Sequence, residues 1–173
     1  EGERKPPCIF EPAEWRRLVL AAIETNDQEY TKGNKFELLA YVTLGLWCGI
    51  RPGAELQKMS WEDVYLDDED PDVYVPPFRK TRYGRRVKLP ANAIELLKIC
   101  KNKKGLICPP TNLKKRLMAL KEIAEVRKSD GVWGNDIMRH TFASMHYAKY
   151  QSKEAIRGQL GHVVEETLNH YIN

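Results

Sequence analysis

From Phe36 to Cys48 the chain is strongly apolar, and a run of that length and uniformity predicts a buried helix. It stops at Gly49-Ile50-Arg51-Pro52-Gly53, where proline and two glycines break the pattern. Upstream, Pro6-Pro7 reads as an extended lead-in. Pro12 suits a first helical turn, and Trp15, Leu18, Val19, Ala22 and Ile23 share one face at helical spacing. Asn26 to Asn34 is polar and turn-like. A short helix is predicted over Ala54 to Met59. The period then changes. Val64 and Leu66 alternate with their neighbours, Asp72-Val73-Tyr74-Val75 reads as a strand, and Arg86-Val87-Lys88-Leu89 reads as its returning partner across a turn at Arg79 to Gly84. Later segments are helical: Asn92–Lys101, Asn112–Val126, Asp136–Tyr150, Ser152–Leu160 and Glu165–Ile172. The expected fold is α+β and mostly α, with packed helices and one small antiparallel sheet of about three strands.

A chain of 173 residues with 42% hydrophobic and 30% charged positions fits one domain able to bury its own core. No apolar run is long enough for a transmembrane helix. Glu1-Gly2-Glu3-Arg4-Lys5 lacks a signal-peptide core, and residue 1 is as consistent with an internal boundary as with a natural start. Cys8, Cys48, Cys100 and Cys108 form no close pair, which points to idle thiols in a reducing cytoplasm. The formal net charge is only +4, but its distribution is uneven. Arg79, Lys80, Arg82, Arg85, Arg86 and Lys88 crowd one turn and its strand. Further clusters run Lys98, Lys101, Lys103, Lys104 and Lys114, Lys115, Arg116, while Glu62 to Asp72 is acidic. One face turned to a polyanion is the reading this suggests; an unevenly charged solvated surface is the other.

Single residues say little. Arg51, at a helix end among glycines and proline, has a fork of donors suited to phosphate, yet alone it reads more readily as a surface or salt-bridged residue. The basic turn has the charge density for phosphate contact, and it also would keep a sheet edge soluble. Arg139-His140-Thr141 opens an amphipathic helix with Phe142, Met145 and Ala148 on its apolar side. Leu160-Gly161-His162 follows, and Tyr171 comes nine residues after that histidine. His162 alone reads as a core histidine and Tyr171 as a packed aromatic.

Taken in order, these residues resemble the catalytic domain of the tyrosine recombinase (phage integrase) family. The strings that carry the resemblance are Cys48-Gly49-Ile50-Arg51-Pro52-Gly53-Ala54-Glu55-Leu56 with Trp61-Glu62-Asp63-Val64; Lys80-Thr81 with Val87-Lys88-Leu89-Pro90; Met138-Arg139-His140-Thr141-Phe142-Ala143-Ser144; and Leu160-Gly161-His162 with Tyr171. It runs from about Pro12 to the last residue. The resemblance implies an integrase-type catalytic domain that cleaves and rejoins double-stranded DNA through a 3′-phosphotyrosyl bond, without metal, ATP or other cofactor. Arg51 and Arg139 would clamp the scissile phosphate, and His162 would donate a further hydrogen bond to it or accept the tyrosine proton. Lys80 would protonate the departing 5′ hydroxyl, and Tyr171 would be the nucleophile. Arg79, Arg82, Arg85 and Arg86 are expected to bind DNA.

Two positions depart from the family pattern. The residue three before the second arginine is usually histidine and here is Asp136, preceded by Asn135. Asp136 would repel a phosphate unless it caps the helix that carries Arg139, and Asn135 would then offer a neutral hydrogen bond; both are weak site candidates. The acidic residue that family members place three after the first arginine is here Glu55, four after Arg51. The family's N-terminal DNA-binding domain is absent, so residues 1–173 are expected to form one catalytic domain that binds DNA weakly and salt-sensitively. Such a fragment is expected to be monomeric, with the full-length protein a tetramer on paired sites in the cytoplasm of a bacterial or phage-infected cell. The competing expectations are a DNA-binding module that has lost catalysis and a type IB topoisomerase-like enzyme.

Overall fold

The computed structural model describes residues 8–78, 83–101, 103–126 and 136–161. The predicted buried helix is its centre. Helix α2 (Leu39–Cys48) buries Leu39, Ala40, Tyr41, Val42, Thr43, Leu44, Gly45, Leu46 and Cys48. With apolar side chains on every face it must be surrounded, and three helices surround it: α1 (Pro12–Thr25), α3 (Ala91–Ile99) and α5 (Ile137–Tyr150). Helix α1 starts as its sequence requires. Pro12 fills the first turn, and Glu14 returns its carboxylate to the Glu11 amide at 2.8 Å. Its Trp15 meets Trp47 edge-on at 5.0 Å. Helix α4 (Leu113–Ile123) packs on α1, and α6 (Lys153–Leu160) packs on α5 through a separate small cluster of Phe142, Ala143, Ile156 and Leu160.

The three-stranded sheet is present in the order β3 (Val64–Tyr65), β4 (Asp72–Val75), β5 (Arg85–Lys88), all antiparallel. Val73 faces Val87 across it, and Val73, Val75 and Val87 form its buried face. The polar segment after α1 holds more structure than its sequence announced. Strands β1 (Glu29–Thr31) and β2 (Asn34–Lys35) form a second, two-stranded sheet around Gly33, too short to show an alternating pattern. Several helix boundaries also move: α2 starts at Leu39 instead of Phe36, and α3 ends at Ile99 instead of Lys101. The chain coils over Pro52–Leu56, earlier than the predicted Ala54 start, and as a π-helical turn. Helix α4 ends at Ile123, short of Val126, where Glu125 adopts φ +52°.

Arg116, read as part of a basic surface cluster, is fully buried. Its guanidinium donates to the carbonyls of Thr111, Phe36 and Pro109 and so ties two loop segments, the one before α2 and the one before α4, to α4. The predicted segment Glu165–Ile172 lies outside the described residues. Among the described residues no helix is long and apolar enough to cross a membrane.

Candidate active site

Helix α2 ends on Gly49, which adopts φ +62° and caps the helix with its amide on Leu44 O. A Cβ there would stand 2.4 Å from Phe142 Cδ1 and 2.6 Å from Leu160 Cδ2, so glycine is required by space as well as by dihedral angle. This tight junction brings the end of α2 against α5 and α6. Arg139, on the first turn of α5, is buried there and donates from Nη1 to Gly49 O at 2.6 Å and from Nη2 to Leu160 O at 2.8 Å. Both carbonyls belong to helix C-termini, where backbone dipoles leave partial negative charge, so a buried cation is favoured.

Two residues past Gly49, Arg51 opens the π-helical turn. The amides of Glu55 and Leu56 both donate to Arg51 O, at 3.1 and 3.0 Å. A π turn holds one residue more than an α turn, and here it absorbs the extra residue between Arg51 and Glu55. The Glu55 carboxylate folds back onto the Arg51 amide at 2.9 Å and lies 3.7 Å from its guanidinium. From β5, Arg85 reaches the same carboxylate with both prongs, Nη1 to Oε1 at 2.9 Å and Nη2 to Oε2 at 2.8 Å, and its Nε donates to Gln159 O at 3.1 Å.

The result is three arginines around one carboxylate. Burial pushes the Glu55 carboxyl up. The Arg85 hydrogen bonds and charge, the Arg51 amide and the Arg139 charge outweigh it and hold it below its ordinary value. Formal charges of three guanidinia and one carboxylate leave the cluster at +2, with the Arg51 side chain its most open member at 28% exposure against 12% for Arg85. A site of this charge and partial enclosure is suited to an anion such as a phosphodiester.

Arg51 and Arg139, paired by their sequence motifs, therefore both bear on one carboxylate, Arg51 by contact and Arg139 through its charge. Arg85 and Arg86, grouped as DNA contacts, part company. Arg86 points outward, stacks over the Tyr65 ring at 4.7 Å and pairs with Asp72 at 3.1 Å. Arg85 points inward. The signal for this was in the strand's period of two, since Arg85 shares the face of buried Val87. Asp136 stands at the N-cap of α5, but its side chain makes no capping hydrogen bond. Its charge is felt one turn on at His140, whose pKa is lowered by burial, raised again in part by Asp136 and lowered further by Arg139. Lys80, Arg79, Arg82, Asn135, His162 and Tyr171 lie outside the described residues. Among the described residues no group of three or more histidine, cysteine, aspartate or glutamate side chains could hold a metal ion.

The fold is that of the site-specific recombinases and integrases of the tyrosine class. The XerH site-specific recombinase bound to its difH substrate in a pre-cleavage complex superposes with a TM-score of 0.73 at 20% identity, over 100% of this chain and 52% of that one. The XerA recombinase gives 0.73 at 21% identity, over 98% and 62%. The catalytic domain of bacteriophage HP1 integrase gives 0.69 at 19% identity, over 95% and 86%. This chain thus spans about half the length of the XerH chain. No family model and no curated protein sequence matches it.

Proposed function

We propose that the chain is the catalytic domain of a site-specific DNA recombinase or integrase of a phage or other mobile element. The observation that carries this reading is the gathering of Arg51, Arg85 and Arg139 on the buried Glu55 within a recombinase-class fold. Double-stranded DNA is the partner. Arg51 and Arg139 supply positive charge where a phosphodiester gains negative charge on its way to the pentacoordinate state, which serves in place of a metal ion. The Tyr171 oxygen attacks phosphorus and the 5′ oxygen departs, taking a proton from Lys80. His162 hydrogen-bonds the phosphate or takes the tyrosine proton. The 3′-phosphotyrosyl bond keeps the energy of the broken linkage, so a 5′ hydroxyl of another strand reverses the step without ATP. Asp136 and Asn135 remain outside this set, and the full-length protein works as a tetramer on paired sites.

The test is covalent capture. On a nicked suicide DNA substrate the wild type is expected to form a protein–DNA adduct without added metal, and Tyr171→Phe to form none. An equal adduct from Tyr171→Phe would remove that residue as nucleophile. DNA binding with no adduct would favour a module that has lost catalysis, and relaxation of supercoils with no exchange between sites would favour topoisomerase-like use.

A further inference from the structure

Arg85 is not one of the residues to which the proposed chemistry assigns a part, yet its placement is tightly constrained. Its guanidinium has all three nitrogens committed, two to Glu55 and one to Gln159 O. Its aliphatic stem lies over Gly161, where a Cβ would come within 2.9 Å of Arg85 Cδ, and Gly161 itself adopts φ +62°. One side chain on β5 therefore reaches both the Arg51 turn and the end of α6, immediately before His162 in the chain. Without it, the Glu55 charge, 2% exposed, would be offset by Arg51 and Arg139 alone, the two charges that are to act on the phosphate. Coulomb repulsion between that carboxylate and an incoming phosphate falls in the poorly screened interior of the site.

We propose that Arg85 is a positioning residue for the phosphate site and not a DNA contact. It cancels the Glu55 charge, so that the charges of Arg51 and Arg139 act on the phosphate, and it fixes the end of α6 against the Arg51 turn. The proposal rests on the functional reading above for the identity of the substrate, but its electrostatic core applies to any phosphate at this cluster. The Glu55 carboxylate then acts as the internal scaffold on which the arginines are arranged, and Arg85 makes that scaffold tolerable to an anion.

The proposal separates two kinds of arginine by their salt signatures. A lost phosphate contact lowers the slope of log affinity against log salt by about 0.9. Arg85→Gln, Arg85→Lys and the double variant Arg85→Gln with Glu55→Gln would be compared with the wild type. The readouts are single-turnover adduct formation at saturating suicide DNA, DNA affinity across a salt series, binding of inorganic phosphate followed by NMR, and thermal midpoints. Arg85→Gln is expected to slow adduct formation by about tenfold or more and to weaken phosphate binding, with the salt slope unchanged. Arg85→Lys, lacking the planar fork, is expected to recover only part of the rate. The double variant has its negative charge removed along with the positive one and is expected to regain phosphate binding and most of the rate.

A slope lower by one contact in Arg85→Gln would make Arg85 a DNA ligand and overturn the proposal. So would a wild-type rate in Arg85→Gln, or a double variant as slow and as weak in phosphate as the single one. Should Arg85→Gln fail to fold, Arg85→Lys and the double variant carry the same comparison. A wild type that binds phosphate in an Arg85-dependent way but never forms an adduct would sink the recombinase reading and leave the role of Arg85 standing.

Discussion

Glu55 is buried with Arg51 and Arg85 on its carboxylate and the charge of Arg139 close by. A carboxylate 2% exposed survives in its charged form only because Arg85 gives it two hydrogen bonds and Arg51 a third from its amide. Truncating it leaves Arg85, itself 12% exposed, without its partner, so Glu55→Ala is expected to cost about 3 kcal/mol in urea-unfolding free energy. Its pH signature has a definite sign. The folded carboxyl holds its proton less tightly than the unfolded one, whose ordinary value is 4.5. The stabilisation is complete above that value and is lost as pH falls through the lower folded value. Thermal midpoints of the wild type should therefore drop more steeply below 4.5 than those of Glu55→Gln, and parallel curves for the two would contradict the depressed carboxyl. How this residue came to matter was half visible in the sequence. Its spacing from Arg51 looked one residue too long, and nothing in a linear string says that a π turn will wind that residue in. Arg85 is legible in the sequence, because strand alternation puts it on the inner face with Val87.

At the scale of elements, what was readable follows from how strongly each segment's pattern was imposed. Helix α2 could be seen because burial on every side leaves no polar position. Strands β4 and β5 could be seen because one face is valine. The β1–β2 hairpin could not, since five strand residues around a glycine carry no period. Arg116 misled for the opposite reason: a run of cations looks exposed until backbone carbonyls are found to satisfy the buried one. The junction of α2, α5 and α6 at Gly49 is the element-level feature with the sharpest consequence. Alanine there must adopt φ +62° and also push Phe142 and Leu160 from contacts at 2.4 and 2.6 Å. Backbone strain at such a position is worth about 1–3 kcal/mol, and the overpacking adds about 1–3 kcal/mol more. Gly49→Ala is expected to lose about 3 kcal/mol with an unchanged denaturant m-value, and also to slow adduct formation, because Arg139 is anchored on Gly49 O. A variant of wild-type stability would show that the junction repacks freely.

Across the whole molecule the charge is arranged by topology rather than by total. The connection before β4 carries Asp67, Asp68, Glu69 and Asp70, and the connection after it carries Arg79, Lys80 and Arg82. Because β3, β4 and β5 are consecutive and antiparallel, these two connections leave opposite ends of β4. Lys88 pairs with Asp70 beside the acidic connection, and Arg86, which lies opposite Tyr74, pairs with Asp72. A net charge of +4 would attract a polyanion feebly if it were spread evenly, and an uneven distribution along the chain would attract one more strongly. Affinity is still limited by the number of phosphates one domain of this size reaches, and each contact is discounted by salt through counterion release. Fluorescence anisotropy on duplex DNA should therefore show binding weaker than nanomolar at physiological ionic strength, weakening steadily as salt rises from about 50 to about 200 mM. Reversing the outward arginine, Arg86→Glu, should weaken binding at low salt and make its salt dependence shallower, without touching phosphate binding at the Glu55 cluster, since Arg86 faces Tyr65 and Asp72 instead. Nanomolar binding by this chain alone, or binding indifferent to salt, would mean that contacts other than a few salt-screened phosphate contacts dominate its hold on DNA.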